Sequence, residues 1–324
     1  MTSSLYDDAT STFVGLVGAS VLKYGFTTWL ASSRPKVYEK VGKVSCLQLY
    51  PVKSCRGLDV QTAECTPIGL RQYGITDRHW VISCKNNKWL TGNKEPKLLL
   101  VSVKLHEDTV EMTAFGMAPL FVPLNPKLDP AMIRHISMGP SVIEGQDCGE
   151  EAAAWFVKHT GREGVRLNYS HPELGKRESI NVKYPWEHYA RPGDRMAFSN
   201  YCSYMIMGKE SLAAVNAELD SPVSLGNFRP NIVVEGSPAF NEDEWEAVKI
   251  GSVSFRMIDT CTRCTLVNVI QDEGRHSKDK EPFTTLRRIR SFPKYGMKPC
   301  LGIYLALDAG GTINVGDDVY AIRK

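Results

Sequence analysis

Apolar and polar residues alternate along this chain in many short runs. Val44-Ser45-Cys46-Leu47-Gln48-Leu49-Tyr50 is a half-buried strand pattern that stops at Pro51. Trp80–Cys84, Leu98–Leu105, Val110–Thr113, Leu120–Val122 and Val165–Tyr169 read as further strands. Lys85-Asn86-Asn87-Lys88 is the expected hairpin turn between Trp80–Cys84 and Trp89-Leu90. Gly149 to His159 breaks the trend, because Ala152, Ala153, Phe156 and Val157 form a helical face that Asp147 can cap. Further on, Ser203–Met207, Asn231–Glu235, Val248–Ile250, Ser252–Ile258, Leu266–Ile270, Leu301–Leu307 and Val319–Ile322 read as strands. Lys209–Leu219 reads as a helix with Leu212, Val215 and Leu219 on one side. Short strands with scattered helices predict an α+β, β-rich fold ending in a β-barrel-type domain.

One segment follows another rule. Thr12 to Ser33 is almost wholly apolar or small and carries a single charge, Lys23. Its length suits a bilayer span, although Lys23 near the middle costs about 3 kcal/mol. Asp7 and Asp8 precede it, while Arg34, Lys36, Lys40 and Lys43 follow, which puts the bulk of the chain on the cytosolic side. The two acidic residues argue against a transit peptide. The expected organisation is an N-terminal anchor and linker over 1–42, a β-rich domain over 43–172 and a second domain over 173–324. The boundary falls in the aperiodic polar stretch Ser170 to Glu178.

Composition narrows the function classes. With 39 basic and 36 acidic residues the net charge is +3, and no dense Lys/Arg run argues for nucleic acid. Nine cysteines without framework spacing read as reduced thiols in a cytosolic setting. No GxGxxG unit offers a dinucleotide site. The seven histidines form no recognisable catalytic arrangement.

The candidate chemistry is concentrated in Asp259-Thr260-Cys261-Thr262-Arg263-Cys264-Thr265. Two thiols flank a guanidinium that can lower a thiol pKa or hold an anion. Four readings compete. Structural zinc needs two more ligands, and no second CxxC exists. A thioredoxin-like dithiol needs a helix after it, whereas Thr265–Ile270 reads as a strand. One cysteine could ligate a metal held mainly by a non-protein group. Both could be core residues. Three further segments put cations at strand ends, where binding loops gather: Pro51-Val52-Lys53-Ser54-Cys55-Arg56-Gly57, Asp77-Arg78-His79-Trp80 and Asn227-Phe228-Arg229-Pro230-Asn231. Three cationic loops and a thiol loop suit a large anionic ligand containing a metal.

These segments come in a familiar order. Pro51-Val52-Lys53-Ser54-Cys55, Leu90 to Leu98, Glu144-Gly145-Gln146-Asp147-Cys148-Gly149, Asn227 to Asn231, Arg263-Cys264 and Val315 to Tyr320 together resemble the MOSC family, and within it the animal amidoxime-reducing branch. The resemblance covers Val44 to Lys324. It implies a MOSC N-terminal β-rich domain followed by a MOSC barrel with peripheral helices, and an N-terminal anchor in the mitochondrial outer membrane with the soluble part facing the cytosol. It implies a molybdenum cofactor, with Cys264 as the protein's ligand to molybdenum. Lys53, Ser54, Arg78 and Arg229 would hold the pterin and its phosphate, and Asn227 or Asn231 would meet the pterin edge. Cys261, Thr262 and Arg263 would line the same loop. The chain departs from the family's hydroxyl-rich run after Phe198: Asn200, Tyr201 and Cys202 stand at positions that would touch the cofactor. Val267 to Asp272 departs from the family pattern as well. The implied activity is reduction of N-hydroxylated compounds such as amidoximes, hydroxamic acids and N-hydroxyguanidines, with nitrite as a further candidate substrate, and with electrons from NADH through cytochrome b5 reductase and cytochrome b5. A non-catalytic cofactor carrier is the alternative. A sulfurase role would need a large pyridoxal-phosphate domain that 324 residues cannot accommodate.

Overall fold

The computed structural model describes residues 37–324. Strand β1 (Glu39–Leu49) buries Val41, Val44, Leu47 and Leu49 and leaves Glu39, Lys40 and Lys43 in water. Its buried positions fall out of strict alternation because bulges at Lys40/Gly42 and Val44/Cys46 each shift the register. At the first bulge only glycine fits, since a Cβ on Gly42 would lie 2.2 Å from the carbonyl oxygen of Glu235.

β1 enters a sheet with β2 (Leu58–Val60), β3 (Tyr204–Gly208), β4 (Ile232–Glu235), β5 (Trp245–Ile250), β6 (Val253–Thr262), β7 (Cys300–Ala309) and β8 (Asp318–Arg323). The order is β4-β3-β7-β6-β5-β8-β1-β2, and a further pairing of β4 with β1 closes seven strands into a barrel. Closure removes the unpaired edges that an open sheet would present. Smaller sheets surround the barrel. Trp80–Ser83, Ile133–Met138, Ser141–Asp147 and Arg166–Tyr169 form one, and Ser102–Leu105, Thr109–Thr113 and Leu120–Pro123 another. A third joins Gly311–Asn314 to the strands of residues 62–76. Among the described residues there are four α-helices: α1 (Glu150–Thr160), α2 (Lys209–Asn216), α3 (Leu225–Phe228) and α4 (Phe283–Ile289). The strand-rich fold matches the expectation from the sequence.

A continuous core runs through residues 39–324, joining Leu47, Trp80 and Phe156 to Trp245, Phe255 and Ile303. A second cluster, including Met207, Val215, Phe228, Cys261 and Leu301, lies under α2, with Leu212 and Leu219 packed against it. The hairpin turn at residues 85–88 forms as expected: Cys84 N–H donates to Lys88 O at 2.7 Å, and Ser83 pairs with Trp89.

Several local expectations are corrected. Leu98–Leu105 is not one strand: Pro96–Leu100 is a 3-10 turn that buries Leu98 and Leu99, and the strand starts at Ser102. Leu266–Ile270 is likewise a 3-10 turn, Thr265–Asn268, followed by a two-residue strand. Asp147 does not cap α1; Gly149 is the N-cap, and Asp147 accepts from Gly149 N and from Arg134 and Arg166. The strand pair 133–147 and the strands between 58 and 76 went unread, because their apolar positions are sparse and their turns short. The candidate membrane anchor lies outside the described residues. Among the described residues, no helix is long and apolar enough to cross a membrane.

Candidate functional site

Five chain segments meet where barrel strands end. Lys53 and Ser54 follow β1, and Arg78 precedes the strand Trp80–Ser83. Asn200, Tyr201 and Cys202 lead into β3, and Arg229 and Asn231 lie between α3 and β4. Cys261 and Thr262 end β6, and Arg263 and Cys264 follow. These segments enclose a cleft of roughly 380 Å³, and every candidate site residue named from the sequence lines it.

Two buried cations, Lys53 and Arg229, and the partly buried Arg78 form one side. Both arginines pack on the Tyr50 ring: the Arg229 guanidinium lies 4.2 Å from its centroid and that of Arg78 lies 4.7 Å away. Each such contact is worth about 0.5–2 kcal/mol. Arg78 pairs with Asp77, which is fully buried and accepts Tyr50 N–H at 2.8 Å. Lys53 rests over Trp89, 4.6 Å from its ring centroid, and donates to Asn200 Oδ1 at 2.6 Å. Burial, reinforced by Arg78, Arg177 and Arg229, drives the Lys53 pKa well below the ordinary lysine value. Burial, with Arg78 nearby, brings Arg229 down to about 10. Arg229 Nη2 is buried with no hydrogen-bond partner among the described residues. A positive site with an unspent donor is electrostatically incomplete, and an anion would relieve both the repulsion and the orphaned group. Ser54, Arg78 and Arg229 all have positive φ, at 72°, 51° and 57°, so the backbone aims them by leaving the regions that side chains prefer.

The other side is the thiol loop, and here the two cysteines differ. Cys261 lies on β6 with 2% exposure, inside the second core cluster, and burial raises its pKa. Cys264 comes after the strand has ended and its residue is exposed to the cleft. Geometry thus offers Cys264, not Cys261, as the thiol a ligand can reach. Arg263 is occupied: Nη1 donates to Phe228 O at 2.7 Å and Nε to Leu301 O at 3.0 Å, tying the loop to its neighbours. Thr262 pairs with Cys300 at the strand end. No cluster of three or more His, Cys, Asp or Glu that could hold a metal ion occurs among the described residues, so a protein-only zinc site is absent there.

The asparagines have separate duties. Asn227 Nδ2 donates to Val267 O at 2.8 Å and Val269 O at 3.1 Å, and its Oδ1 accepts from Ser224 in a capping box on α3. Asn231 Nδ2 donates to Gln48 O at 3.2 Å, and its Oδ1 accepts Met205 N–H at 3.2 Å. Both line the cleft; Asn227 spends both amide N–H bonds on loop carbonyls and is not free for a pterin edge, whereas Asn231 spends one. Tyr201 is buried, its hydroxyl has no partner among the described residues, and its ring meets Tyr184 and Tyr304 edge-on. The Cys202 thiol donates to Leu305 O, and burial pushes its pKa up to about 12.

Sequence reasoning missed Trp89, Thr91, Asn93, Met205, Phe228 and Tyr304, which also border the cleft. Thr91 and Asn93 fall within the Leu90–Leu98 segment, whose resemblance to the family was their signal. Arg177 was missed as well. Its Nη1 donates to Ser199 O at 2.7 Å and its Nη2 to Asn200 O at 3.2 Å, fixing the loop whose Asn200 holds Lys53. A wider cleft, about 580 Å³, opens beside the start of β1. It is lined by Lys40, Lys43, Glu210, Glu235 and Arg323, with no thiol in its lining; Lys40 pairs with Asp318 at 2.8 Å and Glu235 with Lys209 at 2.7 Å.

Comparison with known proteins gives the family. Residues 41–163 match the MOSC N-terminal beta barrel domain and residues 193–320 the MOSC domain. "Mitochondrial amidoxime-reducing component 1" of Mus musculus is 34% identical over 323 residues, covering 97% of this chain and 93% of that protein. The Homo sapiens protein of the same name is 34% identical over 96% of this chain and 93% of its own length. "Mitochondrial amidoxime reducing component 2" of Bos taurus is 35% identical over 89% of this chain and 85% of its own length. With both domains matched and identity above 30% across nearly its whole length, this chain belongs to the MOSC family.

Proposed function

We propose that this chain is a molybdenum-cofactor-dependent reductase of N-hydroxylated compounds. One observation carries the reading. A reachable thiol, Cys264, and three wholly or partly buried cations with an unspent donor line one cleft, in a chain about one-third identical to proteins named amidoxime-reducing components.

The residues fit the group. Arg229, Arg78 and Lys53 would grip the phosphate and the electron-rich pterin, and arginine can give two parallel charge-assisted bonds to a phosphate. Cys264 would supply a soft thiolate to the metal. When bound, the cofactor supplies two-electron reductive cleavage of an N–O bond; orientation and electrostatics fall to the protein. Arg263 and Asn227 keep the Cys264 loop in place from two sides. Tyr50 and Asp77 brace the two arginines, and Arg78 also donates to Arg229 O at 3.2 Å. We extend the reading to electron delivery by cytochrome b5 and its NADH-dependent reductase. We also place the protein on the mitochondrial outer membrane facing the cytosol, where confinement to one surface raises the donor's effective concentration.

The test uses the full chain produced in a host that makes the cofactor. Metal and pterin content are quantified, and benzamidoxime reduction is followed with cytochrome b5 and its reductase. Molybdenum and pterin in equal amounts, with benzamidine formed, is the expected result. Cofactor bound without turnover would leave a carrier; zinc in place of molybdenum would overturn the reading altogether.

A further inference from the structure

Four asparagines border the cleft, and the fate of their amide groups separates them. Asn227 and Asn231 donate within the protein, as described. Asn200 turns its oxygen to Lys53, on the cationic side. Asn93 stands on the thiol side. Its Oδ1 accepts the Thr265 hydroxyl at 2.8 Å, and Thr265 directly follows Cys264. Its backbone oxygen is held by the His276 ring at 2.9 Å. The side chain is half-buried, and among the described residues its Nδ2 has no hydrogen-bond partner. An amide whose oxygen is fixed presents its two N–H bonds in a fixed direction. Here that donor sits at the wall of the cleft, one residue contact away from the Cys264 loop. The cations opposite suit an anionic group, whereas a neutral N–OH group calls for a neutral donor.

We propose that Asn93 is the substrate-positioning residue of this site: its Nδ2 donates to the oxygen of the N–O group and orients it beside Cys264. This rests on the reductase reading above. The Thr265 bond sets which end of the amide faces the cleft, and the His276 bond keeps the turn from swinging away. Loss of this donor is expected to weaken substrate binding about tenfold, which corresponds to about 1.4 kcal/mol.

Two variants separate donor from scaffold. Asn93→Asp keeps an oxygen for Thr265 and removes the N–H donors, and Asn93→Ala removes both. Each is compared with wild type as the loaded full chain. Molybdenum and pterin content, the dissociation constant for benzamidoxime by calorimetry, and kcat and KM are measured. The expected result is unchanged cofactor content in Asn93→Asp, with Kd and KM for benzamidoxime raised about tenfold in both variants. Unchanged Kd in both, with wild type active, overturns the role of Asn93 alone. A rise confined to Asn93→Asp would report its added charge and also overturn it. Loss of cofactor from both variants would make Asn93 a structural residue. Wild type that holds the cofactor and reduces no benzamidoxime removes the reductase reading, and this inference with it.

Discussion

Two thiols three residues apart illustrate what a single residue's surroundings decide. Cys261 and Cys264 are indistinguishable by spacing, and each could be ligand or core. β6 runs through Thr262, so Cys261 keeps a strand position packed on Met205, Val267 and Leu301. Two residues later the chain has left the sheet, and Cys264 meets the cleft. Their serine variants should therefore fail differently. Cys264→Ser is expected to abolish benzamidoxime reduction with thermal stability within about 0.5 kcal/mol of wild type, as for an exposed position. Cys261→Ser should retain its molybdenum and lose about 1–3 kcal/mol, because it buries a hydroxyl where a thiol packed. Metal analysis and denaturant unfolding of both read the difference; equal loss of molybdenum from the two would sink the assignment of Cys264 as ligand. Spacing alone does not choose between the thiols, since solvent access comes from where the strand stops; the family resemblance picks Cys264 through the Arg263-Cys264 pair.

At the scale of elements, the site depends on loops held by contacts between segments remote in sequence. The segment after Cys264 shows how these override local preference. Val267, Val269 and Ile270 favour a strand, yet Asn227, forty residues before Val267, claims the Val267 and Val269 carbonyls; Thr265–Asn268 folds into a 3-10 turn and only Val269–Ile270 stays extended. Gly92 is the point where three such loops touch. A Cβ there would lie 2.6 Å from Leu99 Cδ1, 3.1 Å from Leu266 Cδ1 and 3.4 Å from Ser54 Cβ. Gly92→Ala should thus push apart the Ser54, Asn93 and Leu266 loops, at about 1–3 kcal/mol for overpacking. The expected outcome is lower pterin content and faster cofactor loss in gel filtration than for wild type. Undiminished retention would mean the loops are not mutually braced. A sequence reader sees only a glycine in a Thr-Gly-Asn turn; its crowding is made by residues seven and 174 positions away.

The whole molecule carries a pH dependence that lies outside the cleft. His79 is buried against Tyr169, with Nδ1 unpartnered among the described residues, and burial draws its pKa down from 6.5 to about 4. Lys176 and Arg71 act in the same direction. Between these values the unfolded chain binds a proton that the folded chain refuses, so stability falls as pH drops from about 6.5 to about 4, and this group takes away nothing more below that. The difference amounts to about 3 kcal/mol. Urea unfolding between pH 7 and pH 4 should show this acid limb, and His79→Phe should flatten it; an unchanged slope in the variant would place the proton elsewhere. The sequence by itself determined the β-rich class, most barrel strands and the residue types of the site, because alternation and motif order are written locally along the chain. Tertiary structure alone decided that β1 closes the barrel against β4, that Asn227 spends its amide on the protein, and that Arg229 is left with an unspent donor. The physical reason is common to all three. Hydrogen-bond satisfaction, burial and solvent access are settled by partners brought together from across the chain, and no short window of sequence contains both members of such a pair.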